Sequence, residues 1–385
     1  MRTHFKKVIN PLLFSFILTG LLSGCASTTS ETDPIKKVLS SNDIRIRTVM
    51  DNPSLYEVQI RFTRIIRDND SVRFEDFDFG VDSQQYFYPA STVKFPIAVL
   101  AMEKINRNKY LNLDTRFYVE GDSVETTFGR EIIKIFAVSD NDANNRLVEF
   151  LGQDAINAGF REKNIGPARI SHRLSVPEAD EITTRPLVIY LNDSTTTLLP
   201  NSVNSSPKPL NLEGIKKGRG YYEGDSLIQG SFDFSKKNYY PVTTQHGVLK
   251  RIIFPEMYAE GERFDLSPAQ RSFLLNAMKV VPREAGYSAE DYYDSYGKFF
   301  MYGDSKEPMP AHMSIYNKVG YAYGTLTDCA YIKDDKNGVE FMVTATILVN
   351  ADGVFNDNEY EYEEVGIPFL SALGSELYRL ELKRN

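Results

Sequence analysis

Ser91-Thr-Val-Lys-Phe-Pro-Ile-Ala-Val-Leu-Ala-Met-Glu-Lys-Ile105 is the stretch on which the reading of this chain turns. Val93, Ile97, Leu100 and Ala101 recur at helical spacing, which predicts a helix over 92–105. Pro96 falls in its first turn, where a missing N–H costs least. Ser91 and Lys94 are three residues apart at the helix start, so their side chains share one face. A helix N-terminus offers free N–H groups and positive potential. That environment suits a developing oxyanion and lowers the pKa of a nearby lysine. A serine hydroxyl is a poor nucleophile until a base takes its proton, and a desolvated lysine is such a base. Taken alone, the same residues also read as an N-capping serine followed by a solvated lysine.

Outward from this helix, both ends of the chain carry strand signals. Residues 56–65 (Tyr-Glu-Val-Gln-Ile-Arg-Phe-Thr-Arg-Ile) alternate polar and apolar side chains, and 72–79 supplies a return strand after a turn at Asp68-Asn-Asp70. Residues 314–321, 325–333 and 340–350 are β-rich, with a turn at Asp334-Asp-Lys-Asn-Gly338. A helical pattern over 364–382 closes the chain. Between 111 and 300 the signals are mostly helical, at 130–137, 143–151 and 267–280. The last opens with Ser267 and Pro268, an N-cap followed by an N1 proline. Residues 192–240 are rich in Ser, Thr, Asn, Gly and Pro and read as a long excursion with a turn at 218–222. The expected fold class is α/β of the α+β kind. One antiparallel sheet is formed from both chain ends and flanked by helices, beside a mostly helical second subdomain.

Composition narrows the function classes. The 385 residues are 42% hydrophobic and 25% charged, as in a globular protein, with a formal net charge of -8. No Lys/Arg-rich run suits a phosphate backbone, so nucleic acid is not an expected partner. Four scattered histidines and two cysteines give no zinc spacing, so neither a metal nor a cofactor is expected. Cys329 lies in an apolar β-rich run and reads as a buried structural thiol.

Two more motifs follow Ser91-Thr-Val-Lys94 in order: Ser139-Asp-Asn141 and Lys318-Val-Gly320. A specified tripeptide such as Ser-Asp-Asn arises by chance in about one chain in twenty of this length, so the second motif weighs more than the first. Locally it also reads as a polar cap for the helix that follows, and Lys318 as an edge-strand lysine. Together the three motifs resemble the Ser-x-x-Lys, Ser-Asp-Asn and Lys-Thr-Gly set of the class A β-lactamases and penicillin-binding proteins. The resemblance spans roughly 37–385, apart from 192–240. It implies Ser91 as nucleophile and Lys94 as its activating partner. It implies that Ser139 relays a proton to the leaving group and that Asn141 binds the substrate amide. Lys318 would face a substrate carboxylate, Gly320 would admit substrate to the backbone, and the Tyr321 N–H would join that of Ser91 as oxyanion donor. Val319 departs from the family's threonine and removes one hydroxyl contact.

The family's Glu-x-x-Leu-Asn, whose glutamate activates the deacylating water, has no counterpart here. In Arg173-Leu-Ser-Val-Pro-Glu178-Ala-Asp-Glu181-Ile-Thr-Thr-Arg-Pro186, Glu178 is the first candidate base and Glu181 the second. Both also read as solvated loop charges. Three functions stay open on these residues: a β-lactamase, a D,D-peptidase-like or other serine hydrolase with slow or no lactam turnover, and a non-catalytic binding or sensor protein. The expected ligand is a β-lactam or a peptidoglycan-like peptide, and the chain is read as a monomer.

The first residues read as a leader rather than as fold. Arg2, Lys6 and Lys7 precede an apolar run over 11–22, which is short of the ~20 residues a span needs. The ending Leu22-Ser-Gly-Cys25 resembles a bacterial lipoprotein leader, with an ordinary cleaved signal as the alternative. That resemblance implies a signal peptide over 1–25, a lipid on Cys25 and a tether over 26–36. It places the protein in the cell envelope, membrane-anchored and facing the periplasm.

Overall fold

The computed structural model describes residues 33–68 and 71–384. The leader, Cys25 and most of the expected tether lie outside them, as do two residues of the turn after Asp68. The tether's last residues are taken into a helix. Asp33 caps Pro34–Leu39 by accepting from the Ile35 N–H at 2.9 Å, and Ile35 is fully buried. No helix among the described residues is long and apolar enough to cross a membrane.

The strands expected at the two chain ends form one five-stranded antiparallel sheet. Its order is Met313–Ala322, Thr325–Asp334, Val339–Leu348, Gln59–Asp68 and Ser71–Phe79. The ends meet where Gln59–Asp68 pairs with Val339–Leu348, Gln59 opposite Thr346. Alternation sends successive side chains to opposite faces. Ala330 and Ile332 join the core beneath the terminal helices Pro34–Leu39, Ile44–Met50 and Ile367–Leu382. Cys329 and Tyr331 join the core beneath the central helices. Cys329 is buried and free, and burial pushes its thiol pKa up.

The helix Lys94–Asn106 runs through that second core. It is buried from Lys94 to Glu103, as befits a helix packed on all sides. Phe128–Ala137 and Asn141–Leu151 pack on it, and Pro268–Lys279 has the expected Ser267 cap, completed as a capping box by Gln270.

Two expectations need correction. The region 111–300 is not helices and loops alone. Thr126–Thr127, Arg116–Val119, Leu187–Asn192 and Thr195–Leu199 form a four-stranded antiparallel sheet. Nor is 218–222 a turn throughout, since the chain bends at Gly218 (φ 77°) and is extended again from Gly220. Gly220–Glu223 is a strand that pairs with Ser226–Gln229, with the reversal at Gly224 (φ 56°), and its other edge runs parallel to Val354–Phe355. The excursion therefore folds onto the C-terminal region. Its Phe234 and Tyr239 bury against Phe355 and against Tyr86, Tyr88 and Ala90, which lie just before Ser91 in the chain.

Candidate active site

The helix expected from 92 begins tighter than the periodicity suggested. Ala90–Val93 forms a 3₁₀ turn, with Ala90 at φ 47°, and Lys94 opens the α-helix. A strand presses on this turn. A Cβ built on Gly320 would lie 2.7 Å from the Ser91 nitrogen and 2.8 Å from the Thr92 nitrogen. Only glycine lets the two backbones approach so closely. Gly320 thus makes room for the turn that carries Ser91, rather than for an incoming substrate. The same contact brings the Ser91 and Tyr321 segments together, as two convergent oxyanion donors require.

A chain of hydrogen bonds joins residues of the three motifs. Lys94 is fully buried, and its Nζ donates to Asn141 Oδ1 at 2.6 Å, to Ser139 Oγ at 3.3 Å and to the Ser139 carbonyl. Lys318 Nζ donates to the same Ser139 Oγ at 2.8 Å and to the Val319 carbonyl at 2.8 Å. Ser139, at φ 57°, thus holds its hydroxyl between two lysines. Both lone pairs of the oxygen accept, so its own proton is left to donate elsewhere. Burial brings the Lys94 pKa down to about 7, with the charges of Asp140 and Asp142 opposing. Lys318 is also held well below the usual lysine value, first by burial and then by the charge of Lys94. The residues of all three motifs therefore converge. Val319 instead packs into the core under the terminal helices.

Lys318 rests on a second buried network that no motif announced. Lys298 Nζ donates to Asn317 Oδ1 at 2.7 Å and to the carbonyls of Met278 and Ile315. Asn317 Nδ2 donates to Asp328 Oδ1 at 2.8 Å. Burial raises Asp328 to about 6 and lowers Lys298 to about 7.

Asn141 opens the helix Asn141–Leu151, whose Asn145 and Glu149 lie on the same face one and two turns on. That face carries the 171–186 loop. Asn141 Nδ2 donates to Ser175 Oγ at 3.1 Å, and Asn145 exchanges hydrogen bonds with the Leu174 backbone at 2.8 and 2.9 Å. Glu149 accepts from Arg173 at 2.8 and 2.9 Å and from the Arg185 N–H at 2.8 Å.

In front of Ser91 is a cavity of about 660 Å³, bordered by Asn141, by the loop and by Tyr321 and Tyr323. Tyr88, Ser175, Lys237, Asn356, Tyr360 and Tyr362 complete much of its wall. Ala90, Ser139, Ser175, Tyr323, Asn356 and Asn358, all at the cavity or its rear, hold left-handed backbone angles. Such strain persists where the surroundings over-determine the chain, commonly at functional sites.

The candidate bases are placed elsewhere. Glu178 and Glu181 are exposed and border a neighbouring cleft with Asp122, Arg146 and Glu149, not the Ser91 cavity. Arg173 explains this. Its guanidinium donates to the carbonyls of Glu181 and Thr183 while gripping Glu149, which turns that part of the loop to the outer side. The carboxylate that does border the Ser91 cavity is Asp180. Sequence reasoning passed over Asp180, His172 and Lys237 because none sits in a motif. No group of three His, Cys, Asp or Glu side chains among the described residues is placed to hold a metal ion.

Comparison with known proteins adds to this geometry. Residues 45–202 match the model of the beta-lactamase enzyme family. That span takes in Ser91, Lys94, Ser139 and Asn141 and ends before Lys318. Among solved structures, the chain is similar to PBP-A, at 14% identity and a TM-score of 0.51 over 91% of this chain and 97% of that one. It is also similar to a beta-lactamase from Desulfarculus baarsii DSM 2075, at 15% identity and a TM-score of 0.50 over 89% and 97%. A beta lactamase from Burkholderia vietnamiensis gives 13% identity and a TM-score of 0.50 over 91% and 97%. No curated protein sequence matches the chain.

Proposed function

We propose that this chain, whose fold is that of the β-lactamase and penicillin-binding-protein serine hydrolases, forms an acyl-enzyme on Ser91 and hydrolyses β-lactam amides in the manner of class A, with slow release. The observation that carries the reading is the Lys94–Ser139–Lys318 chain of hydrogen bonds. Neutral Lys94 takes the Ser91 proton as the oxygen attacks the lactam carbonyl. The backbone N–H groups of Ser91 and Tyr321 receive the oxyanion. The Ser139 hydroxyl gives its proton to the departing nitrogen and is resupplied from the Lys94 ammonium. Asn141 orients the acyl amide. Lys318 donates to the Ser139 hydroxyl and holds it in place.

Release is the weaker step, because Glu178 does not border the cavity that holds Ser91. That same observation favours the second reading, a D,D-peptidase-like enzyme in which a lactam acylates and stays. Intact-mass spectrometry with a chromogenic cephalosporin tests both. The expected result is a covalent adduct on Ser91, a burst of colour and then slow turnover, with no adduct in Ser91→Ala. Complete absence of an adduct from the wild-type protein would refute the acyl-enzyme reading.

The enzyme is further proposed to act as a monomer held to the membrane by a lipid on Cys25, facing the periplasm. The motif Leu22-Ser-Gly-Cys25 supports this. Cell fractionation is expected to find the protein with membranes and Cys25→Ser in the soluble fraction. Membrane association that survives the substitution would count against the anchor.

A further inference from the structure

We infer that the side of the Ser91 cavity bounded by His172, Asp180 and Lys237 is a subsite for a zwitterionic amino-acid head group on the acyl half of the substrate. The inference rests on the acyl-enzyme reading for its orientation. The leaving nitrogen must meet Ser139, so the acyl half extends the other way, along the walls formed by the 171–181 loop and Lys237.

His172 supplies the first observation. It is 5% exposed, and its ring lies parallel to that of Tyr88, with centroids 6.1 Å apart and planes at 5°. Its Nδ1 lies 2.5 Å from the Arg173 carbonyl, an oxygen that only accepts, so the ring proton sits on Nδ1. Nε2 therefore presents a lone pair, and it is buried without a partner. Of the buried polar side-chain atoms left unpartnered among the described residues, it is the one whose residue borders this cavity. Burial holds the His172 pKa down near 4, so the ring is a neutral acceptor at physiological pH. An N–H donor seated against this wall would complete it.

The second observation is an ion pair open to exchange. Lys237 Nζ stands 3.5 Å from both carboxylate oxygens of Asp180, whose side chain is 69% exposed. Such a long, solvated pair is weak. The backbone beneath Lys237 is fixed, since Arg169 donates to its carbonyl at 2.6 Å. The other cations near Ser91 are committed. Arg173 grips Glu149, and Lys318 is buried against Ser139 and the Val319 carbonyl.

A lone carboxylate would satisfy Lys237 but face Asp180 and leave Nε2 unmet. A lone ammonium would satisfy Asp180 and Nε2 but face Lys237. A head group carrying both lets its ammonium meet Asp180 and Nε2 while its carboxylate meets Lys237. The subsite depends on the excursion, which delivers Lys237.

Two cephalosporins that differ only in the side-arm amino group test this: one with a D-α-aminoadipoyl arm, one with an adipoyl arm. Calorimetric titration of the Ser91→Ala protein reads binding without chemistry. The expected result is roughly tenfold tighter binding of the aminoadipoyl compound, since a site built for a donor rejects the analogue lacking it. That preference should shrink in His172→Gln and in Asp180→Asn, while Lys237→Gln weakens both compounds. Asp180 is exposed, so its variant keeps the test open should His172→Gln fail to fold. The same two arms on a linear acyl-D-alanyl-D-alanine separate a peptide source from a lactam. A preference on either carrier supports the subsite. Equal binding on both, or a preference untouched by Asp180→Asn and His172→Gln, overturns it. Mass adducts with the adipoyl compound on the protein with Ser91 intact are scored separately. Adducts with no binding preference remove the subsite alone, and a preference without adducts removes only the acyl-enzyme reading.

Discussion

Replacing Lys94 by methionine is expected to slow acylation of Ser91 about a thousandfold, within the range general-base removal usually costs. The side chain is fully buried at the start of the helix that follows Ser91, and methionine matches its length and packing. What it lacks is the nitrogen. The lysine pKa of about 7 sets the form of the result. Only the free amine accepts a proton, so acylation by the wild-type protein should rise through pH 7 and level off above it. The variant should lose both the rate and that inflection. Stopped-flow acylation with a chromogenic cephalosporin from pH 5 to 9 measures this. A variant that keeps the inflection would assign it to another group, and a rate within about tenfold of wild type would remove Lys94 as the base. Lys318→Met separates the two lysines. It leaves Lys94 in place, and Lys318 is not among the charges that shift Lys94, so its profile should keep the wild-type inflection near pH 7.

The parts of this molecule legible in the sequence are those set by local pattern. Alternation over 56–65 and β-rich composition over 325–333 pointed to two of the strands, both of which are buried along most of their length. Motif order singled out Lys94, Ser139, Asn141 and Lys318, which the fold joins by hydrogen bonds. What could not be read depends on distant contacts. Gly320 looked like a substrate platform, yet its missing side chain serves the 89–92 backbone, more than two hundred residues away in the chain. Residues 218–222 looked like a turn because glycine carries that signal, yet Gly220–Glu223 is a strand. Its strand partners include Val354–Phe355, which no local window contains. Glu178 looked like a base because it lies near the right place in the loop. Which way the loop faces is decided by Arg173 and Glu149, neither of which belongs to a motif.

That clamp is the second place where one side chain has a large effect. Glu149→Ala is expected to cost about 3–5 kcal/mol of unfolding free energy, the range for removing one partner of a buried ion pair. Glu149 is 1% exposed at its side chain and Arg173 7%, so the surviving guanidinium would be left in the interior without its counter-charge. The damage is local in origin. Arg173 also donates to the Glu181 and Thr183 carbonyls, and Arg185 donates its backbone N–H to Glu149, so the 181–185 part of the loop is tied to this carboxylate. Limited proteolysis should cut there first in the variant. The double variant Glu149→Met with Arg173→Met should recover much of the loss, because no charge is then stranded. Its recovery should be incomplete, since the Thr183 carbonyl and the Arg185 N–H lose their partners and the Glu181 carbonyl keeps only Gln153. Urea unfolding of the wild type, Glu149→Met, Arg173→Met and their double variant gives the coupling directly. A single-variant cost below about 1 kcal/mol would mean that the loop is held by Asn145 and its packing, and that the pair is incidental. A large cost with full recovery in the double variant would mean that the pair contributes charge balance and no positioning. Only a large cost with partial recovery fits a clamp that both stabilises the loop and turns Glu178 away from Ser91.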